Sequence, residues 1–167
     1  MTDAAPSPAA TDALAEVATM PGHLLRRCQQ IAVALFLQEV DGLTPVQFAV
    51  LAALDAGNGG ADGEPVDQNR LGGLVALDRT TISLTVGKLA ARGLVDKRPA
   101  PGDRRARHIA LTAAGRDALA AALPRVRTVQ ERLLAPLDDA ERRQLATLLA
   151  RVAEGGNAAS RAPLRTE

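Results

Sequence analysis

Residues 67–112 read DQNRLGGLVALDRTTISLTVGKLAARGLVDKRPAPGDRRARHIALT. Asp67 stands just ahead of Leu71, Leu74 and Val75, so its carboxylate can cap a short helix that runs to Val75. Asp78 repeats the device in front of Arg79-Thr80-Thr81-Ile82. Along this second helix Ile82, Val86 and Leu89 fall at i, i+4 and i+7 and form a buried seam. At about 100° per residue, Thr80, Ser83, Leu84 and Gly87 point the opposite way. A helix with short polar side chains and a glycine on its outer face can approach another surface closely. It ends at Arg92-Gly93, a glycine stop.

Leu94–Arg98 and His108–Leu111 read as two short strands, and Pro99-Ala100-Pro101-Gly102-Asp103 between them supplies turn chemistry, so a hairpin with a longer loop follows. From Lys97 to Arg107 five basic residues (Lys97, Arg98, Arg104, Arg105, Arg107) stand against one acid, Asp103, a local balance of +4. Two short helices and a basic hairpin are the outline of a winged helix-turn-helix. Such a module sets its second helix in the DNA major groove and its hairpin against the backbone or minor groove.

Outward from this unit the chain is helical. Upstream, Leu24, Cys28, Ile31 and Leu35 recur at helical spacing between Pro21 and about Val40, flanked by Leu25, Ala32 and Phe36, and Asp41-Gly42 closes the helix. Thr44-Pro45-Val46-Gln47 opens the next one with a capping box, Leu43 and Phe48 forming the staple, and it runs to about Ala56. Gly57–Pro65, GNGGADGEP, has neither a dinucleotide fingerprint nor a Gly-Lys-Ser/Thr sequence, and reads as a flexible connector. Downstream, Thr112 caps a helix to about Leu134, with Pro124 inside it as an expected kink. Asp138 and Glu141 form a second capping box, and Leu145, Leu148, Leu149 and Val152 make one stripe of the last helix. Residues 1–18 read as a flexible arm, with a short amphipathic piece between Thr11 and Thr19 as the alternative, and 155–167 as a flexible tail.

The expected division is therefore an arm (1–18), a first dimerisation helix (19–42), the winged helix-turn-helix (43–112), C-terminal dimerisation helices (113–154) and the tail. One small lobe cannot cover three apolar helix stripes, and a homodimer with intertwined flanking helices buries them.

At 167 residues the chain holds one domain with a proper core. Aromatic content is 1% with no Trp and no Tyr, so an Ala- and Leu-rich chain should be mainly α with a small β-hairpin wing. A formal net charge of +1 excludes a whole-molecule polycation, so any nucleic-acid footprint is local. One cysteine and two histidines build neither a disulfide framework nor a zinc site of ordinary spacing, and no cofactor is called for. Apolar runs are too short to span a membrane and the N-terminus lacks a secretory pattern, so the expected location is cytoplasmic. No Ser/His/Asp or Cys/His set is suggested, so no catalytic residue is named and an enzyme is not expected.

The ordered motifs Leu43-Thr44-Pro45-Val46-Gln47-Phe48, Asp78-Arg79-Thr80-Thr81-Ile82-Ser83, Arg92-Gly93-Leu94-Val95, Asp103-Arg104-Arg105 and Leu111-Thr112-Ala113-Ala114-Gly115 resemble the MarR (multiple antibiotic resistance) regulators, a match from about Pro21 to Ala153. The resemblance implies a homodimer binding a pseudo-palindromic double-stranded operator and, in most cases, repressing until a small ligand or oxidant weakens it. It also implies that Asp103 pairs with Arg105 and steers that guanidinium into the minor groove. The physical case agrees, because narrow A·T-rich minor grooves attract arginine. The candidate DNA contacts are Arg79, Thr80, Thr81, Ser83, Leu84, Lys88, Asp103, Arg104, Arg105 and Arg107. Where many members carry polar or basic residues on the recognition helix, this chain has Leu84 and Gly87. Leu84 can meet a thymine methyl or sit at a contact inside the dimer, and Lys88 is better placed for phosphate than for bases.

His23, Arg26, Arg27 and Gln30 share one face of the first helix. The family places its ligand pocket between the dimer helices and the DNA-binding lobe, so this cluster can receive the carboxylate of a small aromatic acid, the bland reading being a solvated helix face. The resemblance also implies a redox-sensing alternative at Cys28, since some relatives sense peroxides through a cysteine near the same helix, but Cys28 lies on the apolar stripe and the tyrosines that assist such sites in relatives are absent, which favours a buried structural cysteine. A dimeric interaction module without specific DNA binding is a further alternative, against which the basic wing argues.

Overall fold

A computed structural model of the chain describes residues 8–57, 66–100 and 103–165, with the side chains of residues 8–11, 57, 100 and 103–106 outside the description. The elements are α1 (Pro8–Thr19), α2 (Pro21–Glu39), α3 (Pro45–Gly57), β1 (Val66–Asp67), α4 (Gln68–Leu74), α5 (Arg79–Ala91), β2 (Val95–Ala100), β3 (Asp103–Leu111), α6 (Ala113–Leu133) and α7 (Asp139–Gly156). The expected fold class holds, a mainly helical chain with a small antiparallel wing.

Each helix of the central lobe starts where a side chain satisfies its free amides. Thr44 and Gln47 exchange bonds across the start of α3, with the Gln47 amide donating to the Thr44 hydroxyl (3.2 Å) and the Thr44 amide to the Gln47 carbonyl (3.1 Å). Asp67 accepts from the amides of Asn69 and Arg70, and Thr112 from that of Gly115. The turn between α4 and α5 carries Ala76 at φ 50, a left-handed conformation unusual for alanine. The Leu77 amide closes this turn on the Gly72 carbonyl (2.9 Å), and a Cβ on Gly72 would lie 3.1 Å from the Leu77 oxygen.

The three strands are ordered β1-β3-β2, all antiparallel. Val95 pairs with Leu111 and Arg98 with His108, while Val66 and Asp67 pair with Ile109 and His108 from the other edge. Both hairpin strands are longer than the sequence suggests, and β1 has no counterpart in the sequence pattern. Two residues at the end of a glycine-rich connector show no periodicity, so pairing with β3 and not local pattern creates that strand. The rest of the connector beyond Gly57, and the Pro101-Gly102 turn, lie outside the described residues.

The core is gathered on the winged lobe. Val50, Leu51, Leu54, Leu71, Val86, Leu89 and Ile109 are fully buried, with Phe36 and Val40 from the end of α2 and Leu119 and Val129 from α6 closing it. Phe36 and Phe48, the two aromatic residues, meet edge to face at 6.1 Å. Gly115 locks α6 to the hairpin, since a Cβ there would lie 2.0 Å from the Leu94 carbonyl oxygen. α6 continues as helix through Pro124.

Two flanks differ from the sequence reading. The arm read over 1–18 is helical from Pro8 to Thr19, which agrees with the alternative of an amphipathic piece over Thr11–Thr19 and follows from alanines that favour helix; what precedes Pro8 lies outside the described residues. The tail expected from 155 instead finishes α7 at Gly156, makes a short 3-10 turn over Asn157–Ala159, and comes back against α4, where the Arg165 amide donates to the Gly73 carbonyl (3.0 Å). The stripe of α2 is covered only near its C-terminal end: Phe36 is buried and Leu35 half-buried, whereas Leu24 and Ile31 are exposed.

Candidate nucleic-acid interface

α5 is positioned by what it buries. Ile82, Thr85, Val86 and Leu89 face the core, and the Thr85 hydroxyl is spent on the Thr81 carbonyl (2.8 Å). This anchoring turns Arg79, Thr80, Ser83, Leu84, Gly87 and Lys88 outward, all exposed. Leu84 is 62% exposed, too much for a side chain satisfied inside its own chain. A Cβ on Gly87 would meet nothing within 4 Å, so the glycine is not required by packing and leaves a shallow place on the outer face.

Asp78 caps the helix with both oxygens engaged. Oδ1 accepts from the amides of Thr80 and Thr81 (both 2.9 Å), and Oδ2 from the Thr81 hydroxyl (2.8 Å). The Thr81 amide first, and then its hydroxyl, hold the carboxyl below its ordinary value, with the Thr80 amide and the positive charge of Arg161 acting the same way. Thr81 is therefore half-buried and tied to its own cap. Thr80 and Ser83 are the more available polar groups.

On the wing, Lys97 and Arg98 are exposed, and Arg98 is joined to Asp96 at 2.6 Å. Arg107, opposite Pro99, is half-buried. The strand positions of Asp103, Arg104 and Arg105 are described, but their side chains are not, so the expected Asp103–Arg105 pair lies outside the description. The base of the wing is tied to the end of α5: the Thr112 hydroxyl donates to the Gly93 carbonyl (2.7 Å), and Gly93 itself takes φ 68.

On α2, Arg26 brings its neighbours together. Its Nη1 donates to Gln30 Oε1 at 3.1 Å, and its Nη2 lies 3.4 Å from His23 Nδ1. Arg27, exposed on the adjoining line of the helix, makes no hydrogen bond among the described residues. Cys28 is exposed within one chain, so the burial expected of its thiol is not supplied by its own chain. Its stripe, with Leu24 and Ile31, is left exposed within one chain. Arg92 and Arg125 carry no signal in the sequence that singles them out. They donate to the carbonyls of Gly42 and Glu39 (Arg125 at 3.3 Å), closing the end of α2 against α5 and α6.

Among the described residues no group of three or more His, Cys, Asp or Glu could hold a metal ion, and no helix is long and apolar enough to cross a membrane.

Comparison with known proteins agrees with this geometry. The profile of the MarR family matches residues 41–106. The chain is 37% identical over 136 residues to the HTH-type transcriptional repressor NicR of Pseudomonas putida, covering 80% of this chain and 82% of NicR. The chain belongs to the MarR family. Among solved structures it is similar to the PcaV transcriptional regulator of Streptomyces coelicolor in complex with its natural ligand (TM-score 0.75, 37% identity, 83% of this chain and 94% of that one). It is also similar to BpsR of Bordetella bronchiseptica, whose DNA binding is regulated by 6-hydroxynicotinic acid (TM-score 0.72, 30% identity, 79% of this chain and 97% of that one). This MarR-family chain is a DNA-binding transcriptional regulator with a winged helix-turn-helix, and not an enzyme.

Proposed function

We propose that two copies of this MarR-family chain repress transcription in the cytoplasm by binding a pseudo-palindromic operator, and that a small aromatic carboxylate releases them. The observation that carries the reading is the outer face of α5. Thr80, Ser83, Leu84 and Gly87 lie exposed on a helix fixed from behind, beside a hairpin rich in arginine. Thr80 and Ser83 supply hydrogen bonds to base edges, Leu84 an apolar contact to a thymine methyl, and Arg79 and Lys88 phosphate contacts. Arg105, steered by Asp103, enters the minor groove, with Arg104 and Arg107 beside it. In a two-fold dimer the two recognition helices enter successive major grooves about 10 bp apart.

Support for the pair of chains comes from the uncovered apolar surface. Leu14, Val17, Leu24 and Ile31 near the N-terminus, and Leu145, Leu148, Leu149 and Val152 on α7, are all exposed in one chain. α1, α2, α6 and α7 would intertwine with those of the partner, which also covers the stripe holding Cys28. Support for the effector comes from the His23–Arg26–Gln30 cluster with Arg27 beside it, a cationic and hydrogen-bonding face suited to a carboxylate. The regulation of BpsR by 6-hydroxynicotinic acid makes that compound the first to try.

Fluorescence anisotropy with the intergenic DNA beside the gene tests both halves. Arg105→Ala should weaken operator binding by about tenfold or more at matched salt. Arg26→Ala with Arg27→Ala should abolish release by the aromatic acids while leaving operator affinity nearly intact. An unchanged Arg105→Ala variant removes the wing from the mechanism, and equal loss of DNA binding in the α2 variant removes the ligand site.

A further inference from the structure

We propose that the C-terminal segment Arg161–Arg165 is part of the DNA-contacting surface, forming with the N-terminal end of the recognition helix a cleft for a backbone phosphate. The inference rests on the DNA-binding reading above and extends its surface to a second basic site, on the side of α5 held by α4.

The segment is held in place by named contacts. The Asn157 side chain clamps it reciprocally, its Nδ2 donating to the Leu164 carbonyl (3.0 Å) and its Oδ1 accepting from the Leu164 amide (2.7 Å). The next amide, that of Arg165, donates to the Gly73 carbonyl in α4 (3.0 Å). Gly73 also makes room for it. A Cβ on this glycine would lie 3.1 Å from Arg165 Cβ and 3.5 and 3.6 Å from its Cδ and Cγ, so the arginine stem lies along bare helix backbone. A side chain whose stem is laid down in this way loses less freedom when its guanidinium engages a partner.

Between the segment and the start of α5 is an open cavity of about 240 Å³, with Asn69, Asp78, Arg79, Arg161 and Arg165 among its walls. Three arginines and one aspartate stand around it. That carboxylate keeps its charge while accepting from Thr80 and Thr81, and one negative charge against three positive leaves a local balance of +2. Arg161 is close enough for its charge to act on Asp78. All three arginines are exposed and so can turn toward a ligand. Guanidinium forks match phosphate oxygens, and the beginning of a recognition helix is the end that enters the groove, where the flanking groups meet the DNA backbone. A phosphodiester fits the charge and the open shape of this cleft.

The test titrates full-length protein against operator DNA and against an unrelated duplex at several salt concentrations. Arg161→Ala with Arg165→Ala should lower affinity for both DNAs by about tenfold at matched salt, and make the slope of log K against log salt shallower by about one for each phosphate that the variant no longer neutralises. Arg161→Lys with Arg165→Lys should restore most of the slope. Asn157→Ala, which keeps every charge but releases the clamp, should show a smaller loss in the same direction. Unchanged affinity and slope in the alanine pair overturn the proposal. So does tighter binding, which would make the segment an obstruction to DNA. If intact protein fails to bind operator at all, it is the DNA-binding reading that falls.

Discussion

α5 and α7 are helices each capped by an aspartate, yet α5 buries Ile82, Val86 and Leu89 almost completely while α7 buries no residue in its own chain. The caps do not explain the difference. Asp78 and Asp138 each accept two backbone amides, and Asp138 has in addition a complete capping box with Glu141. What differs is the surroundings: α5 has α3, α4 and the wing around it, whereas Leu145, Leu148, Leu149 and Val152 remain exposed within one chain. A helix can thus be locally well specified and still energetically incomplete, because its burial and not its cap supplies most of its stability. The winged lobe is a finished core, and the apolar stripe of α7 is left uncovered within one chain.

The largest expected effect sharpens the finished half. Leu89→Ala removes a fully buried side chain, and unfolding by urea should show a loss of about 2–5 kcal/mol. A loss under about 1 kcal/mol would mean that the lobe relaxes around the cavity and is less finished than its burial indicates.

An intermediate effect tests the other half. Leu148→Ala, on the exposed face of α7, should change the stability of an isolated chain by less than about 0.5 kcal/mol. In a dimer the same change costs more, and the melting temperature should then depend on protein concentration. Leu148→Glu should go further, converting the pair to single chains by light scattering and removing operator binding with helix content preserved. A variant that remains a dimer would place the interface elsewhere.

The same contrast separates what is legible in the sequence from what is not. The lobe is legible because its signals are local: Asp67, Asp78 and Thr112 cap helices where expected, and Ile82, Val86 and Leu89 are the buried seam of α5. The outer face of that helix follows by subtraction. The cover of Cys28 is not legible, because a stripe of apolar residues shows which face seeks cover and not whether the same chain provides it. β1 and the docked C-terminal segment are illegible for another reason. Val66 and Asp67 become a strand only by pairing with β3, and Arg165 reaches α4 only because Asn157 turns the chain and Gly73 leaves space. Contacts across so many residues leave no period to detect.

The smallest effect returns to the cap of α5. Asp78 is ionised and hydrogen-bonded in the folded chain, chiefly by the Thr81 amide and hydroxyl, so its folded value lies below the ordinary 3.8. A depressed carboxylate stabilises the fold above its unfolded value, and that contribution is lost as the pH falls from 3.8 through the folded value. Asp78→Ala should therefore melt at a lower temperature than the parent protein at neutral pH, with the gap closing as the pH is taken below 3.8. If the gap in melting temperature stays constant down to acid pH, the carboxylate acts by shape and not by charge. If Asp78→Ala also lowers operator affinity at neutral pH while leaving Leu89 packed, the start of α5 must be held in register for Thr80 and Ser83 to read bases. The cap would then link the finished core to the DNA surface.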